Sequence, residues 1–221
     1  MVFGMKKKKS LILAVSSLAA FALWTVLIGV IDVQAIGPRE SSVGFATLNG
    51  FFHRLTGVHM GLYVVTDWLG LVPIAVAFGF AVLGLVQWIR RKNIVKVDGS
   101  ILVLGGFYIV VIAVYIFFES VTVNYRPTLI DGYLEGSYPS STTLLVTCVM
   151  PTAMMQFQDR IKNPILRKSV LVIITAFTVF MVLGRLISGV HWLTDIIGGG
   201  LVSVGLVATY DYIVGRFVKK Q

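Results

Sequence analysis

Charge and cysteine are both scarce in this chain, and each scarcity excludes a class of protein. Only 13% of the 221 residues are charged, whereas 57% are hydrophobic, and the mean hydropathy is +0.88. Soluble globular domains usually carry about 25% charged residues, so the composition excludes an ordinary soluble domain and predicts an integral membrane protein. The single cysteine, Cys148, excludes an internal disulfide framework, and its apolar surroundings predict a buried small hydrophobic residue.

The basic residues are confined mainly to four clusters beside apolar segments. The clusters hold 15 of the 19 basic residues and include every lysine. Their members are Lys6–Lys9; Arg90, Arg91, Lys92 and Lys96; Arg160, Lys162, Arg167 and Lys168; and Arg216, Lys219 and Lys220. The positive-inside rule places such clusters on the cytoplasmic side of a membrane. The net charge of +9 therefore indicates membrane topology and not a nucleic-acid partner.

Six apolar stretches are candidates to cross a membrane, which takes about 20 mainly apolar residues. They are residues 11–36, 69–89, 101–118, 142–157, 169–186 and 191–214. The predicted fold class is all-α: an integral membrane bundle of six transmembrane helices in one domain, residues 1–221, with both termini cytoplasmic. The mixed segment 37–68 is predicted to lie in the membrane interface. A signal-peptidase-like Val33-Gln34-Ala35 closes the N-terminal span, residues 1–36, but the long apolar stretch favours an uncleaved anchor.

The stretch GRLISGVHWLTD, residues 184–195, places three ionisable side chains at the predicted outer end of the last two spans. If His191 begins the last helix, Asp195 lies one turn further on the same face and accepts the N–H of one imidazole nitrogen. The other nitrogen then keeps its lone pair and is a competent nucleophile. Arg185 is placed to meet an anion there. A structural His–Asp pair is the alternative, although ionisable residues near lipid usually mark function.

A second polar cluster lies in the loop 124–143. Arg126 is its only basic residue, and a guanidinium fork suits phosphate or carboxylate recognition. Ser140 and Ser141 follow a proline at the predicted start of the fourth span. A hydroxyl there caps the helix, and the free N–H groups of a helix start can bind an anion. Both roles are compatible.

Together the two clusters resemble the type 2 phosphatidic acid phosphatase family, six-span membrane lipid phosphatases with the motifs K-x6-R-P, P-S-G-H and S-R-x5-H-x3-D. The third motif is present as Gly184-Arg185, five residues, His191, three residues and Asp195, with only its first residue changed. The resemblance covers residues 60–215, the phosphatase-like core. It implies that His191 attacks phosphorus to form a phosphohistidine and that Asp195 orients His191.

The resemblance also implies a phosphate-binding set and a substrate class. The phosphate-binding residues are Arg126, Arg185, Ser140, Ser141 and Thr142. No metal or cofactor is implied, because the arginines and a helix N-terminus supply the positive charge. The expected substrates are lipid phosphates or polyprenyl diphosphates, hydrolysed at the outer face of the cell membrane.

Three positions depart from the family motifs. Gly184 replaces serine and removes one hydroxyl donor. Glu119 replaces the lysine of the first motif and would repel phosphate, so we expect it to pair with an arginine or to point away. Thr142 replaces the histidine that protonates the leaving alkoxide, a contribution typically worth about 10²–10⁴-fold. Diphosphates, which have a good leaving group, would lose less.

Two functions therefore stay open. The chain is either a lipid phosphatase impaired by the loss of its general acid or a non-catalytic membrane protein that binds lipid phosphates. The sequence does not separate a natural variant from one in which Thr142 was introduced to trap substrate. His53 and His59 are candidate replacement acids, but interfacial or hydrogen-bonded positions are expected for both. A transporter is favoured only by the number of spans, since no repeated broken helices are evident.

Overall fold

The computed structural model describes residues 7–218, which form α-helices and two 3-10 turns without a regular strand among them. The helices are α1 (Lys7–Ile28), α2 (Ala46–Thr56), α3 (Met60–Leu69), α4 (Leu71–Arg91), α5 (Gly99–Ser120), α6 (Ser141–Arg160), α7 (Pro164–Ile187) and α8 (Leu193–Phe217). The 3-10 turns are Pro38–Glu40 and Ile94–Lys96. The predicted all-α class is confirmed, and Cys148 is fully buried as expected.

Five helical stretches in the described part of the chain are long and apolar enough to cross a membrane, as expected for a multi-pass membrane protein. They are α1, the near-continuous pair α3–α4 (Met60–Arg91), α5, α7 and α8. The fourth predicted span coincides with α6, which is not among them. Because α6 packs against α4, α5, α7 and α8, much of its surface faces protein and not lipid. The total of six spans stays a prediction.

Two predicted boundaries are wrong. The first helix ends at Ile28 and not at Ile36, because Asp32 turns the chain and accepts a hydrogen bond from the backbone N–H of Thr47 at 2.7 Å, at the start of α2. The interfacial segment was predicted to reach residue 68, but α3 begins at Met60 and leads directly into α4. Asp67, one of the polar residues of that mixed segment, forms an ion pair with Arg185 of α7.

The basic clusters lie at one end of the bundle. Helix α1 runs antiparallel to α8, since Ser10 near its start donates to Asp211 near the end of α8 at 2.6 Å. Asp98, before α5, binds Arg91 at the end of α4 at 3.0 Å and Arg160 at the end of α6 at 3.3 Å. Lys6, Lys219 and Lys220 lie outside the described residues. That this end is cytoplasmic stays a prediction.

Two consecutive glycines of α8 allow the loop before α6 to approach closely. A Cβ atom on Gly198 would lie 2.4 Å from the ring of Tyr138, and one on Gly199 would lie 3.1 Å from Thr143. The close approach lets the backbone N–H of Ser140 donate to the backbone oxygen of Asp195 at 3.2 Å. The start of α6 is thereby fixed against the start of α8, at the end of the bundle opposite the basic clusters.

Candidate active site

His191 lies in the turn between α7 and α8, and the prediction that it begins the last helix is wrong. The turn depends on Gly189, whose φ is +69° and whose Cβ would meet the backbone oxygen of Gly57 at 2.0 Å. Trp192 is the extended residue before the helix, and Asp195 accepts its backbone N–H at 2.8 Å. This cap starts the helix at Leu193, two residues after His191.

The hydrogen bonds of His191 fix its tautomer. Its Nδ1 atom lies 3.1 Å from the backbone oxygen of Ser137, and a carbonyl can only accept, so Nδ1 carries the proton. The Nε2 atom lies 3.3 Å from Nη2 of Arg185, a donor, and therefore carries the lone pair. Burial lowers the pKa of His191 well below 6.5, and the charges of Arg126 and Arg185 lower it further. The imidazole is neutral and oriented.

Asp195 lies beside His191 but does not hold it by a hydrogen bond. The distance from its Oδ2 atom to Nδ1 of His191 is 3.6 Å, whereas the carbonyl of Ser137 is at 3.1 Å. Oδ2 is already occupied by the N–H of Trp192, and Oδ1 is buried without a hydrogen-bond partner among the described residues. The orientation of the imidazole therefore comes from Ser137, and Asp195 supplies a buried carboxylate next to it.

Two arginines converge next to the imidazole. The guanidinium carbons of Arg185 and Arg126 lie 4.9 Å and 5.9 Å from the ring centroid of Tyr63 on α3. Each arginine has one carboxylate partner: Arg185 is 3.5 Å from Asp67, and Arg126 is 3.1 Å from Glu135. Both carboxylates are substantially exposed, whereas the two arginine side chains are largely buried.

Several donors of these arginines have no acceptor. Within the described part of the chain, three buried donors have no hydrogen bond: Nε of Arg185, and Nε and Nη1 of Arg126. Glu135 lies close to Nε of Arg126, but its carboxylate is poorly aligned for a hydrogen bond. Buried polar groups normally have partners, and unpaired ones are costly. Two of these donors, Nε of Arg185 and Nη1 of Arg126, also lack a carboxylate contact, and beside a neutral imidazole they make a cradle that an anion would complete.

The start of α6 forms another wall of the site. Ser140 is fully buried and caps the helix, and its hydroxyl accepts from Thr143, as its sequence position predicted. Ser141 lines the pocket that also contains Arg126 and His191. Among the described residues, the backbone N–H groups of Ser141 and Thr142 have no acceptor, as expected in the first turn of a helix. Thr142 itself is buried and is not among the pocket-lining residues.

Glu119 does not pair with an arginine among the described residues, so that part of the expectation for it is wrong. Its side chain lines the same pocket as Arg126 and His191. No basic group of the described residues lies within 4.0 Å of its carboxylate, because Arg126 is taken by Glu135. The pocket is thus lined by one basic residue, Arg126, and by one acidic residue, Glu119, at the end of α5.

The packing of α3 against α7 explains why glycine stands at position 184. A Cβ atom there would lie 2.7 Å from Cγ2 of Thr66 on α3, so serine would push α3 away from α7. That contact brings Asp67 of α3 to Arg185 of α7. Gly184 therefore allows a closer approach of the two helices than a serine would.

Neither His53 nor His59 meets His191 in the described structure. His53 packs its ring 5.5 Å from that of Trp192, and burial lowers its pKa. Nε2 of His59 is 2.9 Å from the backbone oxygen of Thr56. His59 is hydrogen-bonded, one of the two positions expected for it, whereas an interfacial position for His53 stays a prediction.

Sequence reasoning missed four residues of the site: Tyr63, Asp67, Glu135 and Ser137. Asp67 had a usable signal, since a lone carboxylate within an apolar helix needs a partner. Glu135 and Ser137 lie in an irregular loop, where no periodic pattern marks which side chains face inward. Ser137 acts through its backbone carbonyl, which residue identity does not reveal.

Comparison with known proteins identifies the family of the chain and a similar fold. Residues 72–219 match the family model of the PAP2 superfamily. The fold is similar to the crystal structure of a transmembrane PAP2-type phosphatidylglycerolphosphate phosphatase from Bacillus subtilis, with a TM-score of 0.55 and 18% identity, over 95% of this chain and 99% of that one. No curated protein sequence matches the chain.

Proposed function

This chain belongs to the PAP2 superfamily, and from that premise we propose that it is a membrane phosphatase that hydrolyses lipid phosphates, with His191 as its nucleophile. The observation that carries the proposal is the pairing of a neutral imidazole with unfilled arginine donors. Nε2 of His191 holds its lone pair 3.3 Å from Arg185, next to buried N–H groups of Arg126 and Arg185 without acceptors. A phosphoryl group would fill those donors and present phosphorus to the nitrogen.

The reaction takes two displacements. Nε2 of His191 attacks phosphorus, and the bond to the leaving oxygen breaks with its electron pair on that oxygen, which takes a proton from water. A second water then attacks the phosphohistidine, releasing inorganic phosphate and restoring the imidazole. Arg126, Arg185 and the N–H groups at the start of α6 stabilise the charge that develops on the phosphoryl oxygens.

Asp195 has a role that its geometry supports without a hydrogen bond. Once Nε2 is bonded to phosphorus, the ring is cationic because Nδ1 keeps the proton that it shares with the carbonyl of Ser137. The carboxylate of Asp195, 3.6 Å away and fully buried, offsets that charge. Coulombic attraction is stronger in such a site than in water, so this carboxylate stabilises the intermediate.

Thr142 determines how fast the first step runs. Its hydroxyl is too weak an acid to protonate a leaving alkoxide near neutral pH, so water must do so and turnover of simple esters is slow. A second function, binding of lipid phosphate without turnover, is favoured by this same residue. The site lies at the end of the bundle opposite the basic clusters. Because the positive-inside rule assigns the clusters to the cytoplasmic side, the site would face the outside of the cell membrane.

The two functions are separated by one assay on detergent-purified protein. Phosphate release from a panel of lipid phosphates and polyprenyl diphosphates is measured for the wild type and for His191→Ala. A phosphatase releases phosphate that His191→Ala does not. Binding of the same lipids without release, lost in Arg126→Ala and Arg185→Ala, would establish the binding protein instead.

A further inference from the structure

Thr194, the residue before Asp195, is held by side chains from the N-terminal part of the chain. Its backbone N–H donates to Oδ1 of Asn49 at 3.2 Å, and its hydroxyl accepts from Nδ2 of the same amide at 2.9 Å. The indole N–H of Trp24 donates to its backbone oxygen at 3.2 Å. Because the first N–H groups of a helix have no acceptor within the helix, Asn49 of α2 satisfies a donor that the start of α8 would otherwise leave free.

Gly44 links Asn49 to a second buried asparagine, Asn124. The carbonyl of Gly44 accepts from Nδ2 of Asn49 at 2.8 Å, and its N–H donates to Oδ1 of Asn124 at 3.3 Å. A Cβ atom on Gly44 would lie 1.8 Å from the backbone oxygen of Ile28, so a side chain there would collide with the end of α1. The amide of Asn124 is thereby oriented with its oxygen toward Gly44. Thr194, Asn49, Gly44 and Asn124 form an asparagine bridge.

The asparagine bridge ends at Asp195. The Asn124 side chain contacts the Asp195 carboxylate, and Nδ2 of Asn124 and Oδ1 of Asp195 are both buried without a hydrogen bond among the described residues. The backbone oxygen of Asn124 also accepts from the backbone N–H of Ser137 at 2.9 Å, and the carbonyl of Ser137 orients His191. Asn124 therefore joins both groups that face Nδ1 of His191, the carboxylate and the carbonyl.

The burial of these groups indicates that they fix positions more than they add stability. Asn49, Asn124, Thr194 and Asp195 are each at most 2% exposed. Replacing both partners of a buried hydrogen bond by apolar groups of the same shape can be nearly neutral for stability. Directional bonds, however, hold each group in one place, and a fully connected polar network makes the surrounding structure rigid.

We infer that Asn49 and Asn124 are positioning residues that fix the Asp195 carboxylate beside Nδ1 of His191. This inference rests on the proposed function, in which that carboxylate offsets the charge of the phosphohistidine. A displaced carboxylate would offset it less, while the arginine donors that bind the phosphoryl group stay in place. The asparagine bridge thus makes part of the N-terminal segment, which precedes residues 72–219 of the family match, a component of the active site.

Phosphate release from the best substrate of the lipid panel is measured for Asn49→Ala, Asn124→Ala and Asn163→Ala. Asn163 is the matched control, because it caps α7 at the opposite end of the bundle by accepting from the N–H groups of Ile165 and Leu166 at 2.9 and 3.1 Å. All three variants should unfold at a lower temperature. Only Asn49→Ala and Asn124→Ala should lower kcat, by about 10–10²-fold as for a misplaced catalytic group, with KM little changed.

A double-variant comparison tests whether the asparagines act through Asp195. Asn124→Ala should lower kcat in the wild type but not in Asp195→Ala, which has no carboxylate to position. An equal loss in both backgrounds would overturn the inference, and so would asparagine variants that match Asn163→Ala in kcat. If Asn49→Ala does not fold, Thr194→Val removes one acceptor of Asn49 and should lower kcat, whereas Thr194→Ser keeps the hydroxyl and should retain it.

The imidazole resonances of His191 keep this test separate from that of the proposed function. The proton and nitrogen of Nδ1–H should shift in Asn49→Ala and Asn124→Ala but not in Asn163→Ala, and the shift caused by Asn124→Ala should vanish in the Asp195→Ala background. If the wild type releases no phosphate but these shifts occur, the phosphatase proposal fails and the positioning role stands. Resonances that neither asparagine variant changes would overturn the positioning role even if phosphate is released.

Discussion

The two halves of the candidate site differ in how completely they are built. The turn between α7 and α8, residues 184–195, holds an imidazole whose two nitrogens both have defined partners. The opposite half, residues 119–142, presents Glu119 and Thr142, which we expect to occupy the lysine and histidine positions of the motifs that the sequence resembles. Under the proposed mechanism, nucleophilic attack and departure of the leaving group rely on separate structural elements, so one can be kept while the other changes.

The largest effect on activity is expected from a substitution of Arg185, in the half of the site that is complete. Arg185→Lys removes the planar fork that contacts both Nε2 of His191 and the expected phosphoryl oxygens, so kcat/KM should fall about 10²–10³-fold, as for the loss of one transition-state donor. The measurement is phosphate release with the best substrate. Arg54→Lys, an exposed arginine on α2, is the control and should have little effect. Similar losses in both variants would mean that Arg185 is not part of the site.

Thr142→His tests the incomplete half. The new imidazole can protonate the leaving oxygen, so phosphate release from an ester with a poor leaving group should rise about 10–10²-fold, at the lower end of general-acid effects because the site is not adapted to it. A new decrease in rate at high pH should accompany the gain, since the imidazole must be protonated to act. No gain, with lipid binding intact, would favour the binding protein.

Gly184→Ser restores the family residue in the complete half and should nevertheless be harmful. The added Cβ lies 2.7 Å from Cγ2 of Thr66, and overpacking typically costs about 1–3 kcal/mol. The unfolding temperature in detergent should fall, and Thr66→Ser, which deletes the clashing methyl group, should recover most of the loss in the double variant. Failure of Thr66→Ser to recover it would locate the strain elsewhere.

The smallest expected effect concerns the pH at which the His191 imidazole takes up a proton. Because burial and two arginines lower its pKa well below 6.5, its imidazole should stay neutral as the pH falls through 6.5, and protonation should begin only at more acidic pH. The imidazole resonances of histidine-labelled protein report this titration, with His191 assigned by its absence in His191→Gln. A midpoint at or above 6.5 would contradict the buried position between Arg126 and Arg185.

Hydropathy and charge predicted much of the fold. Five of the six predicted spans correspond to helical stretches that are long and apolar enough, and the described members of the basic clusters meet at one end. The end of α1 at Ile28 was not predicted, because the sequence stays mainly apolar through the turn that Asp32 holds after the helix. The start of α3 escaped because Asp67 makes a helix look polar until its partner, Arg185, is known.

The site was predictable where spacing carries the information. The distance along the chain from Arg185 through His191 to Asp195 identified residues that are indeed adjacent. It did not reveal that His191 precedes the helix or that a backbone carbonyl, that of Ser137, holds the imidazole. Contacts such as Tyr63 with both arginines join segments more than 60 residues apart and depend on packing, which no local pattern encodes.

Trapping the covalent intermediate tests the central claim most directly. Protein incubated with a hydrolysed lipid phosphate is quenched in base, which preserves phosphohistidine, and the peptide containing His191 is analysed by mass spectrometry. The account predicts one added phosphoryl group on His191, labile to acid and absent after incubation of His191→Ala. Turnover with no phosphoryl group on His191 at any quench time, or a phosphoryl group on another residue, would contradict it.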